Sequence, residues 1–184
     1  MHTQLFQGNL IRLTALDAAR DAETESRWTH DAEFMRALSA EPLRPLAPNI
    51  VRQKRETAQK DLKPQHLQFA IRPRAEERLL GVAQLARLDW TNGSAWLTLG
   101  IADACERGKG YGGEALRLLV NYAFAELNLQ RLVAVTADDN PRAIRFFERA
   151  GFVSEVRRRQ AIHRDGKRWD AVMLGILREE WSAG

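Results

Sequence analysis

The chain has 184 residues, 45% hydrophobic and 28% charged, enough apolar material for a buried core and too much for a disordered polypeptide. Its formal net charge of +4 suits an anionic small ligand as well as nucleic acid and selects neither. The single cysteine, Cys105, cannot form an internal disulfide, and no apolar run approaches the ~20 residues of a bilayer span. The opening MHTQLFQGNLIRLT has no signal-peptide h-region, so a cytoplasmic protein is expected.

In chain order, Leu10–Leu13 reads as a first strand. Thr14-Ala15-Leu16-Asp17 has the form of a capping box, so a helix is expected from about Leu16, running through Trp28, Asp31, Glu33 and Phe34. Three prolines in EPLRPLAPN (Glu41–Asn49) interrupt regular structure. A charged helix from Ile50 to about Asp61 leads to a strand, HLQFAIRP, in which Leu67, Phe69 and Ile71 alternate onto one face. Two longer strands, LLGVAQLARLDW and SAWLTLGIA, flank the hairpin signal Asn92-Gly93. After a glycine-rich loop comes a helix whose Leu116, Leu119, Val120, Ala123, Phe124 and Leu127 form one apolar stripe. Arg131–Thr136 is a mid-sheet strand. Asn140-Pro141 opens another helix, as N-cap and first helical residue, and Gly151 closes it. Two last strands, FVSEVRRRQAI and RWDAVMLGIL, flank Asp165-Gly166.

The loop itself, RGKGYGG (Arg107–Gly113), puts four glycines and two cations where a strand hands over to a helix. Glycine costs backbone entropy and packs nothing, so the pattern points to a close-approaching anion. It is no Walker loop, because Lys109 precedes Gly110 and no Ser or Thr follows. Gly108, Gly110 and Gly113 match G-x-G-x-x-G, but the preceding strand leaves an antiparallel hairpin and no second parallel unit follows, which excludes a dinucleotide fold.

Arg107-Gly108-Lys109-Gly110-Tyr111-Gly112 has the form R/Q-x-x-G-x-G/A and resembles the acyl-CoA pyrophosphate loop of the GNAT superfamily of N-acetyltransferases. GYGGEALRLLVNYAFAELNLQRL, the segment from Asn140 to Phe152, and the closing DGKRWDAVMLGILREEW all resemble the RimJ/RimL and spermidine acetyltransferase branch. The likeness runs from about Leu10 to Trp181 and is densest from Leu97 onward. It implies one α+β domain over residues 1–184. That domain would be a three-layer fold with a mixed, mostly antiparallel sheet of six to seven strands, about four helices and a splayed central strand pair. It implies acetyl-CoA as co-substrate, no metal, and direct transfer of acetyl to a primary amine of a small molecule or a protein N-terminus. Homodimers are common in such families.

Carried over residue by residue, the resemblance puts the cofactor against Leu99, Gly100 and Ile101, the loop residues Arg107, Gly108, Lys109, Gly110, Tyr111, Gly112 and Gly113, and Asn140, Arg145 and Phe147. Uncapped helix-start N–H groups suit a diphosphate, and a backbone N–H near Leu99 or Gly100 would polarise the thioester carbonyl. Arg145 is either a phosphate contact or an exposed helix cation. Phe147 departs from the family pattern, in which a Tyr hydroxyl can protonate the leaving thiolate. Glu33 is the first candidate for the base, ahead of Asp31, Glu41, Asp89, Asp170, His30 and His66. Trp28, Phe34 and Trp90 are candidate walls of the acceptor pocket, or core. Cys105 reads as a small filler residue rather than a nucleophile. A non-catalytic acyl-CoA module is the alternative reading. Nucleic-acid binding is set aside, because Arg157-Arg158-Arg159 on a strand alternate faces and no stacking aromatics accompany them.

Overall fold

The computed structural model describes residues 4–39, 41–58 and 65–181. Seven strands form one sheet in the order β1-β2-β3-β4-β5-β7-β6. They are β1 (Ile11–Thr14), β2 (His66–Pro73), β3 (Gly81–Asp89), β4 (Ser94–Ile101), β5 (Arg131–Ala137), β6 (Val153–Arg164) and β7 (Lys167–Leu177). Every neighbouring pair is antiparallel except β4 and β5, which run parallel. That pair needs a crossover, and α4 (Tyr111–Asn121) supplies it. The other helices are α1 (Ala22–Trp28), α2 (Ala32–Leu38), α3 (Pro48–Ala58) and α5 (Pro141–Arg149). The mixed sheet with flanking helices is the expected architecture, with five α-helices among the described residues where about four were expected.

The expected stripe on α4 is the core face. Leu116, Leu119, Val120, Ala123 and Phe124 are buried against Leu85, Leu97, Leu132 and Leu174 of the sheet, and Leu127 is partly buried at the edge. At Tyr122–Glu126 the helix widens into a π-helical turn. Tyr122 there packs on Phe6 and Phe69, and burial raises its phenol pKa. The hairpin signals behave as their chemistry demands: Gly93, Asp165 and Gly166 all have positive φ.

The N-terminal expectations need correcting. No helix starts near Leu16. The Asp17 carboxylate accepts from the amides of Ala19 and Arg20 at 2.9 and 3.0 Å, which closes a turn, and the helix begins at Ala22. The single expected helix is two, because Asp31 re-caps the chain by accepting from Phe34 N at 3.1 Å. The third helix begins at Pro48, inside the proline segment, where a proline suits the first turn. Its expected end near Asp61 lies outside the described residues. Below α1, a fully buried ion pair joins Asp21 to Arg72, with Oδ1 and Oδ2 accepting from Nη2 at 2.8 and 2.6 Å.

Candidate functional site

The loop after β4 is built to leave donors uncovered. Asp103 Oδ1 accepts from Cys105 N at 3.0 Å and closes a short turn over Ala104–Glu106. The chain then passes through Gly108 at φ +83° and Gly110 at φ +91°, left-handed values that penalise any residue with a Cβ. Gly110 is the N-cap of α4 and contributes no side-chain cap, so the first-turn amides keep their hydrogens for something else. A Cβ added at Gly108 or Gly113 would meet nothing within 4 Å. An open rim of orphan N–H groups at a helix start can receive an anion, and the residues present here fit a diphosphate.

The two loop cations are held rather than free. Arg107 donates from Nε to Ile101 O at 3.0 Å and from Nη2 to Ala102 O at 2.8 Å, and its Nη1 pairs with Glu33. It ties the loop to the end of β4 and to α2. Lys109 reaches Glu106 at 2.8 Å, a contact that raises the lysine pKa and keeps the ammonium charged; Glu106 also takes Arg78 at 3.0 Å.

Beside this loop the sheet comes apart. β4 and β5 pair only at Ser94↔Arg131, Ala95↔Leu132 and Trp96↔Val133. Beyond that point β5 stays with β7 as far as Ala137↔Ala171, and β4 stays with β3 as far as Ile101↔Gly81. Each strand is held on its outer side, so the seam between them opens. Ala102 N donates to Leu80 O at 2.9 Å, and the two-residue alternation then gives the amides of Gly100 and Thr98 to β3. Leu99 and Ile101 turn theirs toward the gap. Of the two candidate oxyanion donors, only Leu99 turns its amide into the gap. Gly100 serves otherwise: a Cβ there would lie 2.9 Å from both Phe34 and Leu38, so its bareness seats α2 on the sheet.

On the α2 side lies a cavity of about 280 Å³. Trp28, Phe34, Met35, Leu38, Leu46 and Val51 form its apolar walls, with Trp28 and Phe34 in edge contact at 5.3 Å. Its floor is a polar row across three strands, Gln68↔Gln84↔Thr98. Gln68 Nε2 donates to Gln84 Oε1 at 2.8 Å, and Arg55 spans from Gln68 to the buried Glu25 carboxylate, donating Nε to both its oxygens at 3.1 and 3.0 Å. Glu25 is the one carboxylate among the described lining residues.

Sequence reasoning singled out Trp28 and Phe34 of this cavity but not Glu25, Arg55, Gln68, Gln84 or Thr98. The available signal was Gln68 and Gln84, polar residues on the second face of otherwise apolar strands. The remaining candidates are dispersed. Glu33 has a side chain 80% exposed and bound to Arg107. Asp31 is spent as a cap. Asp89 closes the β3–β4 turn by accepting from the amides of Thr91 and Asn92, and Asp170 pairs with Arg157. Glu41, His30, His66 and Trp90 are exposed. Asn140 Oδ1 caps α5 through Ala143 N at 3.1 Å, and Arg145 on that helix is exposed. Phe147 is 7% exposed, sandwiched between Phe146 and Phe152 in the core, whereas Phe146 is the ring nearest Gly112. Cys105 is not a filler: it is exposed, and the neighbouring Asp103 carboxylate raises its pKa, which keeps the thiol protonated.

A cradle for a diphosphate beside a split parallel strand pair defines an acyl-CoA-dependent transferase fold. Residues 11–153 match the family model for the acetyltransferase (GNAT) domain, and the chain belongs to that family. It is similar to the putative ribosomal N-acetyltransferase YdaF of Bacillus subtilis, 36% identical over 103 residues that make up 56% of each chain. It is also similar to the spermidine N(1)-acetyltransferase of Vibrio cholerae, 27% identical over 107 residues, 58% of this chain and 61% of that protein. The matched stretch thus spans less than two thirds of either relative. A solved structure of the Vibrio cholerae spermidine N-acetyltransferase in complex with CoA and spermine superposes with a TM-score of 0.84 at 21% identity, over 94% of this chain and 98% of that one. At that identity the likeness speaks for the fold.

Proposed function

We propose that the protein is an acetyl-CoA-dependent N-acetyltransferase acting on a primary amine of a small molecule or a protein N-terminus. The observation that carries this reading is the uncapped, left-handed glycine start of α4 standing beside the open β4–β5 seam. The first-turn amides of α4 and the backbone of Gly108–Gly113 bind the diphosphate, with Lys109 charged at the rim. Arg107, braced by Glu33, holds that loop against Ile101 and Ala102. The gap edge of β4 receives the pantetheine arm as an added strand would be received, and Leu99 N–H stabilises the oxyanion. Acetyl-CoA, when bound, supplies an activated thioester carbonyl. The amine enters from the α2 side, through the cavity above Thr98, and meets that carbonyl across the seam.

No side chain is assigned as base. Glu33 is committed to Arg107 and Glu25 to Arg55, so the acceptor gives up its proton to water. A leaving thiolate with a parent thiol pKa of ~8.5 departs without a protonating Tyr. Calorimetry with CoA, run beside thiol release from acetyl-CoA over an amine panel, tests the reading. Binding with amine-dependent turnover is expected. Binding without turnover would leave a non-catalytic acyl-CoA module, and no binding by folded protein would overturn both.

A further inference from the structure

Resting on the acetyltransferase reading, we infer that the acceptor is an amine whose apolar body carries an anionic group, and that Lys54 selects for it against polyamines. The cavity fixes both ends of such a molecule. Its floor runs Thr98, Gln84, Gln68 across three strands, about 10 Å at the usual strand spacing. Thr98 neighbours Leu99, so the reacting nitrogen belongs at that end. The far end is reached from α3, which presents Lys54 and Arg55 to the cavity.

The charge at that end is positive. Among the described lining residues there are one carboxylate, Glu25, and two cations, Lys54 and Arg55. Glu25 is buried and already saturated by Arg55, which grips both its oxygens. Lys54 is exposed, and among the described residues no carboxylate pairs with it. A second or third ammonium on the acceptor would find no free anion among the described lining residues and a facing lysine. A carboxylate or similar anion would find Lys54 unspent, whereas Arg55 is taken up by Glu25 and Gln68. Between the ends, Trp28, Phe34 and Leu46 accept an aromatic or aliphatic body and no charge.

Three acceptors and one substitution test this. Steady-state kcat/KM is measured with phenethylamine, with 4-(2-aminoethyl)benzoate, which adds only a carboxylate to the same body, and with spermidine. Wild-type protein is expected to prefer the benzoate over phenethylamine by about five- to tenfold, with spermidine poorest. Lys54→Glu is expected to reverse the order through KM, while its CoA affinity, measured by calorimetry, stays at the wild-type value. If CoA binds and amines turn over but spermidine or phenethylamine is preferred, or Lys54→Glu changes nothing, the charge assignment is wrong and the transferase reading stands. If no amine turns over, both fall.

Discussion

Phe147 shows how far a single residue's meaning depends on where it points. A Tyr there would be asked to hand a proton to the leaving thiolate, yet the ring is enclosed by Phe146 and Phe152 in the core. Phe147→Tyr is expected to cost about 1–3 kcal/mol of stability, the penalty for a buried hydroxyl without a partner, and to leave kcat unchanged. Urea denaturation beside steady-state rates measures both; a raised kcat would return the acid role to this position. Glu114 is a second informative residue. Burial raises its carboxyl pKa, but the amides of Asn9, Ile11 and Leu10, at 2.7–2.8 Å, outweigh that and hold it below the usual value. A depressed folded-state pKa stabilises above the unfolded value near ~4.3 and is lost as pH falls through the folded one. Glu114→Gln is therefore expected to lower stability by about 1–3 kcal/mol at pH 7, with the difference from wild type shrinking as pH falls below about 4. Denaturation midpoints at pH 7 and pH 3.5 report it.

At the scale of elements, the deciding feature is the hand-over from β4 to α4. Gly110 sits at φ +91°, and an added Cβ would also come within 3.1 Å of Leu10. Gly110→Val is expected to cost about 1–2 kcal/mol in backbone strain and to weaken CoA binding by more than tenfold, because the first-turn amides shift with it. Gly166→Ala is the control, since Gly166 also has a positive φ, +71°, its Cβ would meet nothing within 4 Å, and it lies in the β6–β7 turn outside the loop. Calorimetry with CoA distinguishes the two, and equal affinities would remove the loop from the binding account. The elements whose chemistry is local were legible in the sequence: the glycine loop, the Asn140-Pro141 helix start, the Asp165-Gly166 turn and the α4 stripe. Thr14–Asp17 misled because a capping box and an Asp turn use the same side chain over the same few residues. Only the strand pairing that holds Thr14 in β1 decides between them. The cavity was mostly illegible for a related reason. Glu25, Arg55 and Gln68 come from α1, α3 and β2, and nothing in their spacing announces that they meet.

Across the whole molecule the sheet works as a partition. α4 and the glycine loop occupy one face, where Gly112 faces Leu99 and Ile101, while α2 and the cavity occupy the other, where Gly100 and Thr98 point. Alternation along β4 thus assigns successive residues to the two sides, and the open seam to β5 is where they meet. A ligand that fills the seam replaces strand pairing that the apoprotein lacks beyond Trp96↔Val133, so its effect should be global as well as local. At a CoA concentration a hundredfold above Kd, the folded state gains about 2.7 kcal/mol, which for a chain of this length raises Tm by about 5–10 °C. Hydrogen exchange should slow in the same experiment at Leu99 and Ile101, whose amides face the seam, and change little at Thr98 and Gly100, whose amides already serve β3. Protection of all four residues alike, or of none, would mean that the coenzyme arm does not lie along β4. The acceptor would then need another route to the thioester than through the cavity over Thr98.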